Sequence, residues 1–260
     1  MEHILVCIKA VPSTNQVQVD GQFRLQRNGV NLQWNVADEA ALEAALLLKN
    51  PETTVTVLTM GPQKLEESLK ELLCRGADRA VLLTDSAMAG ADPLATATAL
   101  QAAITKLGHV DLILCGRRAI DGETGQVPGM LAGALGIPCI TNTERLEIIP
   151  GGIRLNRRLE NGISVLEAAT PLVASLCEYT YQLRLPGIRS IQKAKNRAVE
   201  IFPAADLGLP IEMCGLKGSQ TKVVSMSNKF PGLRKGPKET NITQGVTKLL
   251  QVLQEVDVCR

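Results

Sequence analysis

The sequence predicts an α/β fold: a mainly parallel sheet with helices on both faces, an antiparallel extension and an extended C-terminal arm. Three observations carry that expectation. Short β-branched runs alternate with Ala-, Leu- and Glu-rich stretches up to about residue 140, a pattern that calls for parallel strands joined by right-handed crossovers. From 143 to 176 strand-like runs follow one another across Gly turns, which reads as antiparallel pairing. Beyond about Arg184 the chain turns basic and is punctuated by Pro and Gly. The division expected is a nucleotide-binding α/β domain over 1–205 and an arm over 206–260.

The elements follow in order. Residues 3–10 (HILVCIKA) read as a buried strand. Residues 11–34 are polar and irregular, with a hairpin expected around Asp20-Gly21. Residues 38–49 (DEAALEAALLLK) are rich in strong helix formers. TVTVLT at 54–59 is a strand ending in Met60-Gly61-Pro62, and a helix follows to Arg75 with Pro62 suited to its first position. RAVLLT at 79–84 is a strand, the small-residue loop Asp85–Asp92 follows, and a helix spans 93–106. VDLILC at 110–115 is a strand, Gly116–Gly125 a polar turn, and a helix runs on to Leu135, with another strand beginning at Cys139-Ile140. ERLEII, GIRLNRRLE, GISVLEAA and LVASLC are the expected antiparallel strands. Residues 215–240 lack periodicity, whereas Ile242, Val246, Leu249, Leu250 and Leu253 form an apolar stripe that requires a cover.

Composition narrows the function. Aromatic residues make up 2%, which argues against stacking platforms for single-stranded nucleic acid. The net charge is +2 with basic residues dispersed, so a polyanion is not the expected partner. The apolar runs are strand-sized, so no membrane span is expected. The opening MEHILVCIKAV lacks the marks of a secretory leader, and the seven cysteines form no C-x-x-C pair. Reduced thiols in the cytoplasm, with no zinc or iron–sulfur site, are expected. The two histidines leave few candidates for His-based catalysis, and no catalytic side chain is assigned.

Open parallel sheets bind ligands at the carboxyl ends of their strands. The richest such end is Gly116, Arg117, Arg118, Ala119, Ile120, Asp121, Gly122, Glu123, Thr124, Gly125, Gln126 and Val127. It opens a helix, where free N–H groups and the dipole favour an anion. Gly122 and Gly125 permit close backbone approach, Thr124 and Gln126 offer hydrogen bonds to phosphate or ribose, and Asp121 is a candidate cap. On residues alone, a capped helix start explains the pattern equally well. P-loop and G-x-G-x-x-G fingerprints are absent. Asn35 and Asp38 precede a helix, as turn former and cap or as the lining of an adenine pocket with Val36 and Ala37. Cys7 and Met60 are core residues or a pocket floor, and Lys9 is a strand-end cation. Asp92, Ala95 and Thr96 begin a helix behind Gly90 and Ala91.

Together these segments resemble the beta subunit of electron transfer flavoproteins, the family that includes FixA proteins. The resemblance covers about residues 1–205. It rests on I-L-V-C-I-K at Ile4–Lys9, N-x-x-D-E-A-A-L-E-A-A from Asn35, M-G-P at Met60, R-G-A-D-R-A at Arg75–Ala80 and V-D-L-I-L-C-G-R-R-A-I-D at Val110–Asp121. L-P-G-I-R-S-I-Q-K-A-K at Leu185–Lys195 is similar to the family's partner-recognition segment.

The resemblance implies a Rossmann-like adenine-nucleotide fold, an alpha subunit carrying its own FAD, and a nucleotide here held by Cys7, Lys9, 35–38, Met60, 90–92, 95–96 and 116–127. AMP-binding members carry D-D-D-x-N-Q-T where this chain has D-G-E-T-G-Q-V, which resembles the electron-bifurcating D-G-D-T-x-Q-V. D-S-A-M-A-G-A-D at Asp85–Asp92 likewise resembles the bifurcating loop, although Pro93 replaces a frequent Thr and Arg118 the usual Gln. The implied function is a bifurcating flavoprotein, in a pathway of anaerobic metabolism. FAD takes hydride from NADH; electrons pass to the alpha-subunit FAD with an acyl-CoA dehydrogenase-type partner, and to ferredoxin. Arg117 or Arg118 is expected near the flavin ring, Leu185, Pro186 and Ile188 at a docking site, and the arm around the alpha subunit. Structural AMP without redox chemistry is the milder alternative, and a nucleotide-binding scaffold or sensor module is the alternative from another class.

Overall fold

The computed structural model describes residues 1–13, 31–194, 196–224 and 239–255. The hairpin expected at Asp20-Gly21, Lys195 and much of 215–240 lie outside the described residues. The chain divides into two units, Met1–Val223 and Val224–Arg260. Residues 206–223 therefore belong to the larger unit.

In chain order the strands are β1 (His3–Cys7), β2 (Ala10–Pro12), β3 (Leu32–Trp34), β4 (Thr54–Met60), β5 (Arg79–Leu83), β6 (Leu112–Gly116), β7 (Cys139–Ile149), β8 (Gly152–Leu159), β9 (Gly162–Ala168), β10 (Leu172–Leu176) and β11 (Glu200–Phe202). The helices are α1 (Val36–Leu48), α2 (Leu65–Arg75), α3 (Pro93–Leu107), α4 (Val127–Leu135), α5 (Ile188–Ala194), α6 (Gly215–Gly218) and α7 (Ile242–Glu255). The main sheet has nine strands in the order β11-β5-β4-β1-β6-β10-β7-β8-β9. The chain moves outward from β1 to β4 and β5, then returns through α3 to β6 on the other side of β1. This reversal makes the carboxyl edge between β1 and β6 a topological switch point, where crevices open in such sheets.

Side-chain alternation places a core on each face. Ile4, Val6, Val55 and Val57 pack with Leu42, Leu69 and Leu72 of α1 and α2. Leu5, Leu58, Val81 and Ile113 pack with Leu100 and Ile104 of α3 and Leu131 of α4. Such two-faced burial is why these strands read as continuous apolar runs rather than alternating ones. Ala40, Ala41, Ala44 and Ala45 are fully buried along α1, and their small side chains let the helix sit close on the sheet.

The structure corrects several expectations. β10 is parallel to both β6 and β7, inserted between them, whereas antiparallel pairing was expected over 143–176. Within the main sheet, among the described residues, only β7–β8 and β8–β9 are antiparallel. β10 is buried on both faces, so its sequence has the blank apolar character of a central parallel strand. The 3–10 run breaks after Cys7, and Ala10–Pro12 pairs antiparallel with Leu32–Trp34. Residues 211–218, expected as extended arm, form a 3₁₀ turn and the short α6. In the second unit, α7 presents Ile242, Val246, Leu249, Leu250 and Val252 as exposed side chains. No described helix is long and apolar enough to cross a membrane.

Candidate functional site

The corner at the β1–β6 edge is built from the first turn of α1. Asn35 is fully buried at its N-terminus. Its Nδ2 donates to the Arg118 carbonyl at 3.0 Å, and its Oδ1 accepts from Ile120 N–H at 3.2 Å. Its own N–H donates to the Lys9 carbonyl at 2.9 Å. Through these bonds Asn35 braces the loop after β6. Asp38 does the same one turn later: Oδ2 accepts Lys9 N–H and Oδ1 accepts Gly116 N–H, each at 2.8 Å. Burial pushes its pKa up to about 7, against the pull of the Lys9 N–H, the Asn35 amide and the Gly116 N–H.

Gly116 is required by this closeness. A Cβ there would meet Asp38 Oδ1 at 2.2 Å and Ala37 Cβ at 2.8 Å. Lys9 Nζ reaches Asp121 Oδ1 at 2.6 Å, tying the end of β1 to the far side of the loop. The N-cap position of α4 falls on Gln126, whose side chain makes no capping hydrogen bond. The first-turn N–H groups of a helix have no acceptor within it, so the start of α4 carries a positive potential. Glu123 and Gly125 adopt left-handed φ of 50° and 62°, folding the loop back so that 122–126 are all exposed. Gly125 has the freedom for this; for Glu123 the conformation is strained.

Arg117 Nη2 and Arg118 Nε both donate to Glu178 Oε1, at 2.9 and 3.3 Å. Desolvation pushes the Glu178 carboxyl up, but these arginines hold it below the ordinary range. Glu178 was missed from sequence because an antiparallel 172–176 would have put it at the opposite edge. Cys7 and Cys115 are buried side by side on β1 and β6, and the Cys115 thiol is raised well above normal by its hydrogen bond with Cys7 and by burial. Such a thiol stays protonated and is no nucleophile. Val36 and Met60 are half-buried at the same edge.

The Asp85–Asp92 loop follows β5, two strands from β1. Asp92 caps α3 through Ala95 N–H at 2.9 Å. Its other oxygen accepts Gln220 N–H, Thr221 N–H and Thr221 Oγ1 at 2.9, 2.9 and 3.0 Å. Leu216 N–H donates to Ala89 at 3.0 Å, and Leu216 covers the exposed Gly90. Ala91 and Thr96 are half-buried and Ala95 is buried. Thus the structure gathers Lys9, 35–38 and 116–121 into one bonded network, while 90–96 is bonded to 216–221.

Among the expected docking residues, Leu185 and Ile188 are 82% and 78% exposed, and Pro186 is half-buried. Leu185 and Pro186 lie on the irregular segment that bends into α5, and Ile188 is the first residue of that helix.

The electron transfer flavoprotein domain model matches residues 22–207. The caffeyl-CoA reductase-Etf complex subunit CarD of Acetobacterium woodii is 41% identical over 223 residues, 85% of each chain. The electron transfer flavoprotein subunit beta of Thermoanaerobacterium thermosaccharolyticum is 43% identical over 228 residues, 86% of this chain and 87% of its own. Protein FixA of Azorhizobium caulinodans is 40% identical over 231 residues, covering 85% and 82%. The chain therefore belongs to the electron transfer flavoprotein family, as a beta subunit.

Proposed function

We propose that this beta subunit pairs with an alpha subunit in the cytoplasm and holds FAD at the β1–β6 corner, as part of an NADH-dependent, electron-bifurcating complex. The observation that carries the reading is the uncapped start of α4 beneath an exposed, backward-folded 122–126 loop. The residues fit such a group: the side chain of Gln126 does not cap the start of α4, the space around Gly122 and Gly129 is open, and Asp38 packs too closely on Gly116 to admit a Cβ.

Bound FAD supplies hydride acceptance from NADH and delivery of single electrons to the alpha-subunit FAD and to ferredoxin. The chain's residues do the holding. The N–H groups at the start of α4 bind pyrophosphate, and Asn35 and Asp38 keep their loop in place. Cys7, Val36 and Met60 offer apolar surface to adenine. Arg117 and Arg118, fixed by Glu178, set positive charge at this edge, where a reduced, anionic ring is stabilised. Leu185, Pro186 and Ile188 dock an acyl-CoA dehydrogenase-type protein, and α7 covers its apolar stripe on the alpha subunit. D-G-E-T-G-Q-V at 121–127 and the likeness to CarD, whose name places it in a caffeyl-CoA reductase complex, favour FAD over AMP.

The test is the ligand content of the co-expressed alpha–beta pair. Heat release is expected to yield two FAD per pair, and NADH is expected to bleach both. One FAD with one AMP would move the chain to the non-bifurcating type, and no flavin after added FAD would refute a redox role.

A further inference from the structure

Arg184 stands at the root of the exposed docking turn, and its hydrogen-bonding groups converge on one partner. Its main-chain N–H donates to Glu43 Oε2 at 3.1 Å. Its Nε reaches both oxygens of that carboxylate at 3.1 and 3.0 Å, and Nη2 donates to Oε1 at 2.8 Å. Its carbonyl accepts from Arg75 Nη1 at 2.8 Å, and Arg75 is itself held by Glu71 at 2.6 Å. The backbone of one residue is thereby gripped on both sides, by α1 and by α2.

Glu43 gives this grip its meaning. Its side chain is only 9% exposed, on a helix whose buried residues are mainly Ala and Leu. A carboxylate at that depth is costly unless it is paired, and a pair of this kind can serve to fix geometry. What this one fixes is a turn whose next residues, Leu185 and Ile188, are large apolar groups left in water.

We propose that the Glu43–Arg184–Arg75 clamp preforms the docking turn, with Glu43 and Arg184 as positioning residues that present Leu185 and Ile188 to an acyl-CoA dehydrogenase-type partner. This rests on the docking reading above. An apolar anchor on a wandering turn must be ordered at every encounter, at the expense of affinity. Arg184 is neutralised by Glu43, so its role is not to steer an acidic partner. The clamp also ties docking to the cofactor corner: Glu43 lies five residues beyond Asp38 on α1, roughly 7.5 Å along the helix axis. One rigid helix thus holds both the nucleotide loop and the turn that receives the partner.

The experiment uses the flavin-loaded alpha–beta complex and a purified short-chain acyl-CoA dehydrogenase as probe. Glu43→Gln keeps the shape and removes the charge. Hydrogen exchange at 184–189 is expected to accelerate about 10-fold. KM for the dehydrogenase is expected to rise ~5- to 10-fold at unchanged kcat, with flavin reduction by NADH unaltered. Arg184→Lys, which keeps the charge but lacks the fork, is expected to fall between. Arg184 is half-exposed, so this variant reads the clamp even where Glu43→Gln fails to fold. Leu185→Ala serves as the docking control and should raise KM without changing exchange. Unchanged exchange in both clamp variants overturns the proposal and leaves the docking reading intact. Faster exchange with KM unchanged, while Leu185→Ala raises it, overturns the functional role of the clamp. If Leu185→Ala also leaves KM unchanged, the docking reading fails and takes the proposal with it.

Discussion

Replacing Asp38 with Asn tests whether the β1–β6 corner rests on a carboxyl that takes up a proton as the chain folds. In the native chain both carboxylate oxygens accept main-chain N–H groups at 2.8 Å, from Gly116 and Lys9. Burial nevertheless pushes the pKa up to about 7. In the unfolded chain an Asp titrates near ~3.9. Between these values the folded chain holds a proton that the unfolded chain lacks. The stabilisation is therefore full below about pH 4 and is lost as pH rises through about 7. The slope within the window is about 1.4 kcal/mol per pH unit, which integrates to roughly 2.5 kcal/mol between about pH 5 and pH 8. Asn has no such proton, so its stability curve lacks this component. It also turns an NH₂ toward one of the two N–H donors, at a pH-independent cost of about 1–3 kcal/mol. Urea unfolding of both chains across that pH range measures the gap between them. The gap should be widest at the acid end and narrow by roughly 2.5 kcal/mol toward the alkaline end. A constant gap would refute the reasoning, because Asp38 would then be ionised throughout.

Other perturbations probe the neighbouring contacts. Gly116→Ala drives a Cβ to 2.2 Å from Asp38 Oδ1; a loss of about 1–3 kcal/mol and a complex purified without this chain's nucleotide are expected. Native melting and native ligand content would contradict the close packing described. Glu178→Gln removes the carboxylate shared by Arg117 and Arg118. The midpoint potential of the flavin held here is expected to rise, since less negative charge then opposes reduction, and an unchanged potential would place the arginines away from the ring. Leu249→Asp puts a charge into the exposed stripe of α7. It should weaken assembly with the alpha subunit in sedimentation velocity while leaving the melting of Met1–Val223 as it was; undiminished assembly would remove that stripe from the interface.

The alternating half of the fold was legible because its crossover strands are short apolar runs and α2, α3 and α4 begin or end on Pro or Gly. β4, α2, β5, α3 and β6 lie within a few residues of their expected bounds. The insertion of β10 was not legible: LVASL carries no mark of direction, and proximity along the chain favoured pairing with β9 over a return to β6. That one long-range pairing hid Glu178. At the site, the sequence indicated which residues gather at the β1–β6 edge but not which way they face. Asn35 and Asp38 are polar residues beside a helix start, and only burial distinguishes a brace from a pocket wall. Asp92 was visible as a cap, whereas its bonds to 220–221 join positions more than 120 residues apart, beyond any local pattern.

The inward orientation of Asn35 has a consequence for what the corner recognises. Both ends of its amide are bonded to the Arg118–Ile120 backbone, and both carboxylate oxygens of Asp38 are bonded to N–H groups. Under the proposed function these bonds commit both side chains to holding the loop, and adenine recognition would fall mainly to main chain and apolar surface. FAD and AMP share their adenosine phosphate end, so under the proposed function a corner of this kind would grip both alike, and whatever separates them would act on the remainder of FAD. Asn35→Ala removes both braces and leaves the part-buried Ile120 N–H and Arg118 carbonyl without this partner, each at a cost of about 0.5–1.5 kcal/mol. The loop should loosen and the affinities of the complex for FAD and for AMP should fall by the same factor in titration calorimetry. Unequal losses would mean that Asn35 reads the ligand directly, and that the loop is held in place by Lys9–Asp121 and Asp38 without it.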